Sequence, residues 1–157
     1  MTRETPARST LTGGCQCGAL RYEIAAAEIL TLYCCHCREC QRQASSGFGM
    51  SMWLPRSAFR LTQGKFATWQ RGTDSGTINR ARFCPDCGVR IHHDEGAESP
   101  TISLKAGSLD DTAWLRPFGH IWVSRAQPWV RLDKSLLIYD REPESFGDLI
   151  AAYQAAD

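Results

Sequence analysis

The chain has 157 residues, a formal net charge of +1 and 43% hydrophobic residues. That length suits one domain with a real core, burying roughly 70% of its extended surface. The near-zero charge excludes an electrostatic case for nucleic acid or a membrane as partner. No stretch approaches the ~18 consecutive apolar residues that a membrane helix needs.

Residues 1–10 are polar and include Pro6, so they are expected to form a flexible tail, with residues 11–157 as a single domain. The N-terminus has no apolar core of a secretory signal, which points to the cytoplasm, where thiols stay reduced. From there to about residue 132, short β-like runs are punctuated by Gly and Pro: LRYEI (20–24), ILTLYC (29–34), GFGMSMWL (47–54), FATWQR (66–71), TINRARF (77–83), VRIHH (89–93) and TISLKAG (101–107). This rhythm predicts a mainly β fold of short antiparallel strands. Helix is scarce. RECQRQA (38–44) suits one or two turns, and SLDDTAWL (108–115) suits one turn capped by Ser108. Residues 145–156 predict a C-terminal helix, capped by Ser145, with Phe146, Leu149, Ile150 and Tyr153 at helical spacing.

Eight cysteines carry the chemistry, in three clusters: Cys15 and Cys17; Cys34, Cys35, Cys37 and Cys40; and Cys84 and Cys87. Close pairs of soft thiolates in a reducing compartment suit tetrahedral Zn²⁺ better than disulfides. FCPDCG (83–88) has the parts of a zinc knuckle. Pro85 pre-sets a turn, and Gly88 can take positive φ after the second thiolate. GGCQCG (13–18) is built similarly, with Gly18 in that place. Together the two knuckles would supply a closed, structural four-thiolate site. Cys35 and Cys37 alternate to one side of an extended segment, and Cys37 and Cys40 share a face of a helical turn. Those three would meet one metal and leave its fourth position open, as in a reactive zinc site. Cys34 is left over as a small buried residue, and His36 alternates away. Spacing also permits Cys34 or His36 as a fourth ligand, and other groupings of the clusters stay open.

GGCQCGALRY, CCHCRECQRQASSG, FCPDCGVRI and the later GHIWVSRAQPWVRLD occur in this order. In them the chain resembles the glutathione-dependent formaldehyde-activating enzyme family, which includes centromere protein V-like domains. The resemblance implies a zinc-bound β-tent with two Zn²⁺ per chain. Cys15, Cys17, Cys84 and Cys87 match the structural ligands, and Cys35, Cys37 and Cys40 match the more loosely held, catalytic zinc. It implies a carbon–sulfur lyase-type activity on a small-molecule thiol–aldehyde adduct such as S-hydroxymethylglutathione. The alternative is a non-catalytic zinc-binding domain that mediates protein or ligand binding.

Arg38 and Arg42, at i and i+4 beside the open site, are candidates for holding the carboxylates of a glutathione-like ligand. Arg80 and Arg82 share a strand face and are expected in solvent. His120 is a candidate acid or base, against an ordinary hydrogen-bonded structural role. The sequence leaves a homo-oligomer open.

Overall fold

Two antiparallel hairpins begin the chain's architecture in the computed structural model, which describes residues 9–74 and 76–156. Most of the expected N-terminal tail, residues 1–8, lies outside the described residues. A three-stranded antiparallel sheet has the order β1 (Thr10–Gly14), β2 (Arg21–Ala25), β5 (Phe59–Gln63). The larger sheet comprises β3 (Thr31–Cys35), β4 (Gly49–Pro55), β6 (Ala67–Gly72), β7 (Ile78–Phe83), β8 (Arg90–Asp94), β9 (Thr101–Lys105), β10 (Gly119–Ile121) and β11 (Leu137–Ile138). Its spatial order is β11-β10-β3-β4-β9-β8-β7-β6. The fold is mainly β, as the sequence predicts, with one refinement. β10 runs parallel to both β3 and β11, so one end of the larger sheet is not antiparallel.

Alternation along the strands decides what lies between the sheets. Leu32, Met52, Leu54, Ile102 and Leu104 come from β3, β4 and β9 and are buried against Leu20, Tyr22 and Ile24. Each such aliphatic side chain contributes roughly 1.5–3 kcal/mol by burial. The approach is close at Gly13, where an added Cβ would lie 2.3 Å from Tyr22 Oη and 2.6 Å from the Ser108 carbonyl. Only glycine allows that contact.

The other face of the larger sheet carries the helices. α1 (Arg38–Ala44) occupies the predicted residues. α2 (Gly147–Gln154) buries Leu149 and Tyr153. Thr31 Oγ1 donates to the Leu149 carbonyl at 2.9 Å, and Phe146 packs on Tyr33 and Trp53. Ser145 does not occupy the cap position. Its hydroxyl accepts from Gly147 N–H at 3.1 Å, and the residue that caps α2 is Phe146, with no side-chain bond.

Residues 108–115 do not form the predicted helical turn. A 3₁₀ turn ends at Ser108, whose hydroxyl donates back to the Lys105 carbonyl at 2.7 Å and meets Tyr22 Oη at 2.7 Å. Leu109 bridges to Gly13, and Asp110 is held by Arg21 and Thr12. Tertiary partners take the groups that a helix N-terminus would have used.

Candidate metal centres

The two knuckles fold alike and converge. Cys15 N–H donates to the Leu20 carbonyl at 3.1 Å, and Cys84 N–H donates to the Val89 carbonyl at 3.0 Å. The chain turns back through Gly18 (φ +81°) and Gly88 (φ +76°), the conformation that glycine adopts without strain. Leu20 N–H points at Cys15 Sγ at 3.1 Å. One knuckle follows β1 and the other follows β7, so the cluster ties the two sheets together.

The sulfurs of Cys15, Cys17, Cys84 and Cys87 all lie within 4.8 Å of one another, with Cys15–Cys17 at 3.5 Å and Cys17–Cys84 at 3.7 Å. Zn–S bonds of about 2.3 Å at tetrahedral angles require sulfurs roughly 3.8 Å apart. The donor set therefore fits a thiophilic metal, and all eight cysteines are free thiols. Val89 N–H pulls the Cys87 thiol down to about 6. Against the same kind of bond from Ala19, the neighbouring Cys15 and Cys87 thiols push Cys17 up to about 12. Four sulfurs this close cannot all carry charge without a cation among them.

The second cluster forms where β3 runs into α1. Cys35 ends the strand, Cys37 caps the helix, and Cys40 lies in its first turn. Their three sulfurs lie within 4.8 Å of one another. Cys40 N–H points at Cys37 Sγ at 3.4 Å. Bonds from the Cys35 and Cys40 thiols, with the N–H groups of Cys40 and Glu39, pull Cys37 down to about 2. Donation to Cys37 and to Cys40, with burial, pushes Cys35 up. Gly49 pairs with Cys35 across the sheet, and a Cβ there would come within 3.2 Å of Cys40 Cβ.

Cys34 and His36 stay out of this cluster. Cys34 is buried on the opposite face of β3. His36 is fully buried, with its Nε2 2.9 Å from His120 Nδ1 and its ring against Phe48. Burial and the second ring hold His36 down to about 4. His120 is thus hydrogen-bonded to a histidine that points away from the sulfurs. Buried Gln41 fixes α1 in place, donating to the His36 carbonyl at 2.7 Å and the Arg125 carbonyl at 2.9 Å.

Residues 10–125 match the family described as glutathione-dependent formaldehyde-activating enzyme. The chain belongs to this family. The fold is similar to the crystal structure of a Rhodobacter sphaeroides protein, with a TM-score of 0.52 and 23% identity over 65% of this chain and 90% of that one. Membership in the glutathione-dependent formaldehyde-activating enzyme family supports chemistry on glutathione and formaldehyde, and the two cysteine clusters could hold its metal ions. No helix among the described residues is long and apolar enough to cross a membrane.

The two arginines that the sequence offers for a carboxylate have partners of their own on α1. Arg38 donates to Gln41 Oε1 at 2.5 Å, and exposed Arg42 pairs with Glu39 at 2.6 Å. Both line a groove of about 370 Å³ with Ser45, Gly47, Gln127 and Trp129. At 3.6 residues per turn, Cys40 stands about 160° round the helix axis from each, so the two arginines and Cys40 lie on different faces of α1.

Other cations face the sulfurs. Lys105 pairs in register with Ser51, which pairs with Tyr33, two residues before Cys35 on the same face of β3. Its Nζ donates to Ser51 Oγ at 3.3 Å. Burial lowers its pKa, while Cys40 and Cys35 pull the other way. A register shift between Arg82 and Phe83 leaves Ile91 as the extra residue of β8 and in the core, and neighbouring Arg90 lies within electrostatic reach of Cys40 and Arg71. Sequence reasoning missed these two. The available signal was a lysine at the end of an otherwise uncharged strand, TISLK.

Proposed function

We propose that this protein is a zinc-dependent carbon–sulfur lyase-type enzyme that joins and splits a thiol and an aldehyde, with the glutathione–formaldehyde adduct S-hydroxymethylglutathione as the type substrate. Cys35, Cys37 and Cys40 would hold the working Zn²⁺. Cys15, Cys17, Cys84 and Cys87 would hold a structural one. In the joining direction the thiol gives up its proton. Its sulfur forms a bond to the carbonyl carbon, the carbonyl electron pair moves to oxygen, and that oxygen takes a proton from water. Splitting is the reverse. A zinc ion held by three cysteines supplies a Lewis acid that stabilises sulfur as thiolate. Three thiolates leave such a centre with a charge of about −1 by summing, which favours a soft sulfur over a hard oxygen as fourth ligand. Cys37 and Cys40 are held at fixed spacing by α1, while Gly49 keeps the sheet from crowding Cys40. A cytoplasmic location accords with the reduced thiols.

The observation that carries this reading is the difference between the clusters: four sulfurs converge at one, and three at the other. The test combines metal content, the absorption spectrum of cobalt-substituted protein, and the rate of glutathione–formaldehyde exchange measured by magnetisation transfer in NMR. The expected result is two metals per chain, one of which responds to glutathione, and exchange faster than in buffer. A second metal that ignores thiols, with no rate enhancement, would instead support a non-catalytic zinc-binding domain.

A further inference from the structure

Two half-buried cations, Lys105 and Arg90, stand near the three-sulfur cluster. Among the described residues no carboxylate pairs with Lys105 or Arg90. Arg90 Nη1 is buried with no hydrogen-bond partner, and the lysine ammonium has only the 3.3 Å contact to Ser51. Arg71 is in a different position, because Glu39 lies 3.8 Å away. A buried donor left unpaired is costly, so Arg90 Nη1, near a reactive cluster, calls for a partner. Strands in a sheet are about 4.8 Å apart. Lys105 on β9 lies opposite Tyr33 and so starts roughly 12 Å from Cys35 at the backbone, and Arg90 on β8 starts roughly 15 Å away, by the strand spacing and the rise per residue. Both charges lie within electrostatic reach of Cys40.

We propose that Lys105 and Arg90 form a carboxylate-binding subsite, so that the thiol this protein accepts carries a carboxylate several bonds from its sulfur. The guanidinium fork matches a carboxylate in bidentate geometry, and the ammonium adds a point charge. This rests on the reading that the substrate's thiol sits at Cys35, Cys37 and Cys40. It assigns anion recognition to β8 and β9 rather than to Arg38 and Arg42.

The test titrates full-length, cobalt-substituted protein with glutathione and with glutathione diethyl ester, following the absorption spectrum. Calorimetry with S-methylglutathione, which has no free thiol, runs alongside. Wild-type protein is expected to prefer glutathione to its ester by about tenfold or more, the range of a hydrogen bond to a charged group. Arg90→Gln and Lys105→Gln should each weaken glutathione and S-methylglutathione by about that factor and leave the ester unchanged, with Arg90→Lys recovering part of the loss. Equal affinity of wild-type protein for acid and ester overturns the subsite without recourse to any variant. Equal losses for both thiols in the variants also overturn it, because the cations would then balance only the sulfurs. If neither thiol alters the cobalt spectrum while S-methylglutathione binding still needs Arg90, the thiol–aldehyde reading falls and the subsite stands.

Discussion

Acid should loosen this fold through His92, and the size of the effect follows from its surroundings. The ring is 4% exposed and meets Phe59 and Phe66 edge-on, with centroids 5.0 and 5.3 Å away. Its Nδ1 has no hydrogen-bond partner and stands 3.9 Å from Asp94 Oδ2. Burial pushes its pKa down to about 4 from 6.5, against the pull of Asp94. The folded value lies below the unfolded one, so the unfolded chain takes up the proton first as pH falls. Stability from keeping this ring neutral is complete above about pH 6.5 and is lost progressively down to about pH 4. At pH 5 the unfolded imidazole is about 1.5 units below its pKa while the buried one is still neutral, which amounts to about 2 kcal/mol. Urea melts of zinc-loaded protein at pH 7 and pH 5 measure it, comparing wild type with His92→Gln. His36 and His93 are also held neutral by burial, but they are present in both proteins and cancel. Wild type should lose about 2 kcal/mol more than the variant over that interval. Equal losses would refute the assignment.

Other substitutions separate the roles of the two clusters and of particular glycines. Cys84→Ser should leave little folded protein by circular dichroism, because structural zinc contributes roughly 10–16 kcal/mol in small domains, as much as a whole domain's stability. Cys40→Ser should keep a cooperative melt but lose the metal that responds to thiols, read by metal analysis and the cobalt spectrum. Gly13→Ala should cost about 3 kcal/mol or more in a urea melt, since the added methyl meets Tyr22 Oη and the Ser108 carbonyl. Gly88→Ala has open space around it but must hold φ +76°, so its cost should be about 1–2 kcal/mol of backbone strain.

The features legible in the sequence are those specified within a few residues. Each knuckle carries its own turn and its own glycine, so Cys84 and Cys87 announce a ligand pair without reference to the rest of the chain. α1 was readable because Arg38–Ala44 consists mostly of good helix formers, Arg, Glu, Gln and Ala. Ser108 misled because its hydroxyl bonds backward and sideways, to Lys105 and to Tyr22 across 86 positions. β10 and β11 have three and two residues, too few to show a period, and their parallel pairing depends on segments 86 and 18 positions apart along the chain. The cations beside the sulfurs were hidden for a related reason. A bulge in β8 reverses the alternation that would have sent Arg90 to the other face, and Lys105 reaches the cluster only through the order of β3, β4 and β9.

The clusters also differ in how much chain must be organised before each can capture an ion. Cys35, Cys37 and Cys40 are neighbours, whereas Cys17 and Cys84 are 67 positions apart. Closing the longer span costs about 2 kcal/mol more in chain entropy than closing the shorter one. During synthesis the first trio leaves the ribosome well before Cys84 exists. An arriving ion therefore meets the trio first and the quartet last, and the second sulfur pair completes its cage only once the sheets have docked.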